Sequence, residues 1–156
     1  MPSTRPRYPR RLPLLSGWLA AMALAAVGQA EAAGIDLAQA VEHLEQAFQA
    51  GEARRLRAIL PGKGRLHLSI PSLSPRAGYF SADQAVYFLD DLFRRHPVVE
   101  FTARQEEHDG SGRVFVRGRL TVRTREAKRR ILNLHFLLIR EEDRWVLREI
   151  REHARE

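Results

Sequence analysis

The 156-residue sequence contains no cysteine, only two lysines, two methionines and 8% aromatic residues, and no apolar run of the length that crosses a membrane. Each shortage removes a class of explanation. Without cysteine the chain forms no disulfide, carries no thiol-linked lipid and offers no thiolate metal site, so its stability rests on an apolar core. Two lysines beside 24 arginines read as a coding bias more than as selection for phosphate. The longest apolar stretch, Leu12 to Val27, is short of the ~20 residues a span needs and is rich in weakly apolar alanine. Neither His67 nor His135 has a second histidine or a carboxylate at metal-ligand spacing, so no metal site and no cofactor are expected.

The first 32 residues stand apart from the rest. Arg5, Arg7, Arg10 and Arg11 precede the apolar stretch, which ends in Gln29-Ala30-Glu31-Ala32-Ala33. Basic, apolar and small residues in that order make a secretory signal peptide, with cleavage after Ala32. Arg10-Arg11 also raises a twin-arginine route, but Pro13 fits that signal poorly, and general export is the expectation. The mature chain is then one domain over residues 33–156, periplasmic or extracellular, with no integral membrane span after cleavage. It retains 22 basic and 18 acidic side chains, a net charge of +4 against +7 for the whole chain. At that length it can bury enough apolar surface to fold alone.

What remains is punctuated clearly. Asp36 and Gln39 form a capping box ahead of an apolar stripe of Leu37, Ala40, Val41, Leu44, Ala47 and Phe48, which predicts a first helix ending at Ala50-Gly51. Leu56, Ile59 and Leu60 predict a short second helix over Glu52 to Leu60, with its arginines in water. Leu66, Leu68 and Ile70 alternate with Arg65, His67 and Ser69 as a half-buried strand, and Pro71 to Gly78 reads as a loop. A second capping box, Ser81 with Gln84, opens the best-marked helix, whose stripe of Ala85, Val86, Leu89, Leu92 and Phe93 runs to Pro97.

After Pro97 the apolar period falls to two, and four antiparallel strands are expected. In the first of them Val99, Phe101 and Ala103 should share one face. Asp109-Gly110-Ser111-Gly112 is a hairpin turn by type. Val114, Val116, Leu120 and Val122 alternate with Arg113, Arg117, Arg119, Arg123 and Arg125, and Ile131 to Ile139 is apolar enough to be central. Trp145 to Ile150 is the last strand. The chain is therefore α+β, with its helices lying on one curved sheet.

The order helix, helix, strand, helix and then four strands resembles the cones related to nuclear transport factor 2 (NTF2) and ketosteroid isomerase. Phe48-Gln49-Ala50-Gly51-Glu52, Gly78-Tyr79-Phe80-Ser81-Ala82-Asp83-Gln84-Ala85 and Leu89-Asp90-Asp91-Leu92-Phe93 narrow this to a resemblance to an uncharacterised family of exported bacterial domains. Its Gly-Tyr-Ser-x-x-Gln-Ala segment opens the third helix. Here Phe80 stands as an extra residue between Tyr79 and Ser81. The resemblance covers nearly all of residues 35–152 and implies an NTF2-like cone and a homodimer through the sheet, but no reaction.

Cones of this kind often hold a pocket between sheet and helices, where a small apolar ligand would sit. His67, Tyr87, His135 and Trp145 are the candidate pocket residues, each with a plainer reading as an outward histidine, a rim tyrosine or a core tryptophan. An isomerase or dehydratase would need an inward carboxylate of raised pKa. Asp90, Asp91, Glu100, Glu106 and Glu149 all sit in charged surroundings, which favours a non-catalytic binding or assembly module. Arg117, Arg119 and Arg123 are candidates for gripping an anionic partner, against a duller account in which Glu100, Glu106, Glu149 and Glu152 neutralise them across strands. Nucleic acid is not expected, because the stripe lacks interleaved exposed aromatics and the signal directs the chain out of the cytoplasm.

Overall fold

The computed structural model describes residues 34–105 and 110–153. The expected signal peptide, residues 1–32, and Glu106 and Asp109, the latter the first residue of the expected hairpin turn, lie outside the described residues. Both capping boxes form. Asp36 accepts the Gln39 N–H at 2.8 Å and starts α1 (Leu37–Ala50), which Gly51 ends in the left-handed conformation at φ 65°. Ser81 and Gln84 start α2 (Ala82–Arg95) in the same way. Between these helices the expected second helix is a tight 3-10 turn, Ala53–Ala58. Leu56 is buried there, and Arg54, Arg55 and Arg57 point to solvent.

Six strands build one sheet: β1 (Leu66–Ser69), β2 (Ala77–Phe80), β3 (Val98–Gln105), β4 (Arg113–Arg123), β5 (Arg129–Glu141) and β6 (Arg144–Glu152). Their order is β2-β1-β6-β5-β4-β3, antiparallel except where β1 runs parallel to β6. The α+β class stands, with one strand more than expected. The end of the segment that reads as a loop pairs with β1, Leu66 opposite Phe80. Its four residues are too short to show a period, and Gly78 removes one of the side chains that would show it.

A second difference lies in β3. A bulge between Val98 and Glu100 adds a residue to the strand, so Val98 packs on the core while Val99 is 37% exposed. The expected Val99, Phe101, Ala103 face therefore loses its first member.

α1 packs on β3 and β6, and α2 on β1, β2 and the 3-10 turn. The space that could have been a cone's pocket is filled where the helices meet the sheet. Phe48 lies 5.3 Å from Phe93, 4.9 Å from Phe101 and 5.1 Å from Phe136, ring centre to ring centre. The cluster depends on Gly118 in β4, where a Cβ would lie 2.7 Å from both Phe101 and Phe136. Among the described residues the buried polar side chains are Ser74 and Thr121, and no aspartate or glutamate is buried. No helix among them is long and apolar enough to cross a membrane.

Candidate functional site

The β4–β5 hairpin is longer than the strand beside it. β4 and β5 pair down to Arg123 opposite Arg129, whereas β6 pairs with β5 only from Leu134 upward. The overhang leaves a cleft of about 1010 Å³ at that end of the sheet. One wall is the hairpin, Thr124 to Asn133, and another is Pro71 and Ser72 just after β1. Glu152 and His153 at the end of β6, and His96 at the end of α2, complete it.

Charge gathers here because the turn is rich in basic residues: Arg125, Lys128, Arg129 and Arg130 line the cleft. Part of that charge is engaged. Lys128 pairs with Glu126 at 3.0 Å, and Arg130 donates to the Ser72 carbonyl at 2.7 Å. Glu152, the other acid on the rim, is held by the Ser72 backbone N–H and hydroxyl. Arg125 and Arg129 have no carboxylate partner among the described residues.

Two buried polar atoms lack a hydrogen-bond partner among the described residues, His96 Nδ1 and Thr124 Oγ1, and both belong to residues lining this cleft. A buried polar atom left without a partner costs free energy, so such groups mark a strained or ligand-facing place. The His96 ring also titrates abnormally. Desolvation and then Arg95 hold its pKa below the ordinary 6.5; the Leu73 backbone opposes them, while Arg125 and Arg130 add to the lowering. Burial first, and the neighbouring guanidinium groups after it, thus disfavour the charged ring, and the same cations would attract an anion.

The four residues expected to share a pocket are not brought together. Strand alternation places His67 and His135 on the outer face, opposite Leu68 and Phe136 in the core. There His67 lies against the Tyr79 ring at 5.0 Å and near Glu149 at 4.0 Å, and His135 stacks on His153 at 4.7 Å. Tyr87 is 74% exposed, beside a smaller hollow of about 400 Å³ over Phe80 and Phe88. Trp145 is buried in the core, its backbone N–H on the Ile35 carbonyl. Arg117, Arg119 and Arg123 do lie on one outer face of β4.

The sequence profile of a family described as a domain of unknown function, DUF4783, matches residues 41–151. The chain belongs to the DUF4783 family. A DUF4783 family protein from Bacteroides uniformis is similar in fold at 18% identity and a TM-score of 0.59, covering 74% of this chain and 96% of that one. A protein whose name marks it as NTF2-type is 12% identical over 72% and 92% of the two chains, with a TM-score of 0.54. A third similar structure, from de novo design of proteins with diverse pocket structures, is 12% identical over 76% and 98%, with a TM-score of 0.52. No curated protein matches. The fold of this DUF4783 domain is therefore NTF2-like, and the matched segment runs from within α1 to Arg151 in β6 and includes the basic turn of the cleft.

In the sequence Arg129 and Arg130 stand a few residues after the β4 arginines and His96 just before Pro97, with no pattern that joins them. Thr124, Ser72 and Lys128 carry no signal alone. The overhang of the hairpin, visible as 11 residues of β4 against nine of β6, is what joins them.

Proposed function

We propose that this DUF4783 domain is an exported, non-catalytic NTF2-like binding module that holds a small anionic ligand in the cleft at the hairpin end of its sheet. The observation that carries the reading is the meeting of two unpartnered buried polar atoms, His96 Nδ1 and Thr124 Oγ1, with a basic turn in one cleft. An anion would supply a hydrogen-bond partner and a counter-charge together. Export rests on the basic, apolar and small residues up to Ala32.

The filled interior supports a charged ligand over a small apolar one, since Phe48, Phe93, Phe101 and Phe136 occupy the space an apolar molecule would take. An isomerase would use an inward carboxylate, and the acids nearest that role are engaged elsewhere. Asp90 caps the Ala53 N–H, and Glu149 pairs with Arg151 at 3.3 Å.

Native mass spectrometry of the full-length gene product, purified from the exported fraction of its own host, tests this and reads the oligomeric state as well. The expected result is an acidic molecule retained by the wild type and lost from the Arg125→Gln, Lys128→Gln, Arg130→Gln triple variant. An uncharged molecule, or an acidic one held equally by the variant, would refute the reading.

A further inference from the structure

A different surface carries a second inference. Along β4 the outer face presents Arg113, Phe115, Arg117, Arg119 and Arg123, alternating with core residues, while Thr121 on the same face is buried. At ~3.3 Å per residue, this line runs ~33 Å with about 7 Å between successive outward side chains. The neighbouring strands add like charge to it. Arg123 stands directly opposite Arg129 on β5, and Arg117 opposite Arg104 on β3.

Like charges directly opposite in an antiparallel pair destabilise a sheet. Among the described residues, the acids that could relieve the Arg123–Arg129 pair are elsewhere or idle. Glu149 faces Arg151 and His67, Glu126 pairs with Lys128, and Glu152 is held by Ser72. Glu100, opposite Thr121, makes no ion pair. Among the described residues Arg119, Arg123 and Arg129 have no acidic partner. The duller account, in which cross-strand glutamates neutralise the stripe, is thus not what Glu100, Glu149 and Glu152 do.

We propose that this outer face is a docking surface for a linear acidic polysaccharide lying along β4. Charges strung along one line, at Arg113, Arg117, Arg119 and Arg123, suit an extended polymer that carries acidic groups along its length, whereas a compact anion reaches only one or two of them. Guanidinium forks match carboxylate geometry. Phe115, 42% exposed within the same line, gives a sugar ring an apolar face to rest on. A bilayer fits less well, because Phe115 and Ile131 are separated along the sheet by the arginines and form no continuous apolar patch. A second copy of the chain would set the same arginines against one another across a twofold axis.

The test uses the full chain, with chondroitin sulfate and polygalacturonate as probes and phosphatidylglycerol vesicles as the competing surface. Wild-type affinity for the polysaccharides should fall steeply with added salt. The Arg119→Gln, Arg123→Gln double variant should bind at least about tenfold more weakly and with a shallower salt dependence. The same variant should melt no lower than the wild type, and Arg123→Gln alone should melt higher, because a like-charge pair has gone. An Arg76→Gln, Arg94→Gln control should bind as the wild type does. Full affinity in the double variant, preference for vesicles, or no salt-sensitive binding to either polysaccharide overturns the proposal.

Discussion

The Asp90 carboxylate on α2 accepts a hydrogen bond from the backbone N–H of Ala53, 37 residues earlier in the chain, at 3.0 Å. Asp90 thereby caps the 3-10 turn from a different element, which the Glu52 side chain does not do. Asp90→Ala should leave that N–H without an acceptor and lower stability by about 1–2 kcal/mol. Asp90→Asn keeps an acceptor oxygen and should lose less. Urea unfolding at constant slope is the measurement, and an alanine variant as stable as the wild type would show that the turn does not depend on this bond.

Gly118 controls how tightly the cone is filled. A Cβ there meets two aromatic rings, so Gly118→Ala should destabilise by about 1–3 kcal/mol through overpacking. Phe136→Ala acts in the opposite sense, opening a cavity beside Phe48 at a loss of about 3–5 kcal/mol. If that variant, and not the wild type, enhances the fluorescence of an apolar dye at native temperatures while keeping its far-ultraviolet dichroism, the interior is a plugged pocket. Dye binding of equal strength by the wild type would contradict the close packing.

Local signals were legible where one residue type does one job. Asp36 with Gln39 and Ser81 with Gln84 mark helix starts because each pair satisfies two backbone N–H groups within four residues of sequence. β2 was not legible, because an edge strand of four residues has no room for a pattern. The bulge at Val98 and Glu100 left no residue-level trace either. The basic cleft is a matter of register. Ser72, His96, Thr124 and His153 come from four separate segments, and only the unequal lengths of β4, β5 and β6 bring them together. The arginine line was visible as alternation, but the lack of an acidic partner for Arg119 and Arg123 among the described residues depends on where Glu149 and Glu152 turn, which periodicity does not encode.

The α2 start offers a smaller test. Ser81→Ala removes the hydroxyl that accepts the Gln84 N–H and should cost about 1 kcal/mol, while Ser81→Asp should keep the cap and add a favourable charge at the helix start. Thermal unfolding compares the three proteins. Equal melting of the alanine and wild-type chains would place the stability of α2 entirely in its buried face of Val86, Leu89, Leu92 and Phe93.

His96 gives the cleft a pH dependence of definite sign. Its folded pKa lies below the unfolded value of 6.5, chiefly through desolvation and Arg95. Below that value the unfolded chain binds the proton more readily than the folded one. The ring's contribution is therefore complete above 6.5 and is lost as the pH falls through 6.5 toward the folded pKa. Denaturation midpoints should drop across this window in the wild type, and the drop should be smaller in His96→Gln. An anion in the cleft would offset Arg95, Arg125 and Arg130 and raise the ring's pKa, so ligand binding should take up a proton and tighten as the pH falls. Calorimetry of the ligand recovered by native mass spectrometry, in two buffers of different ionisation enthalpy, reads that proton directly. Proton uptake present in the wild type and absent in His96→Gln ties the ring to the site, and uptake unchanged by the substitution would separate His96 from ligand binding.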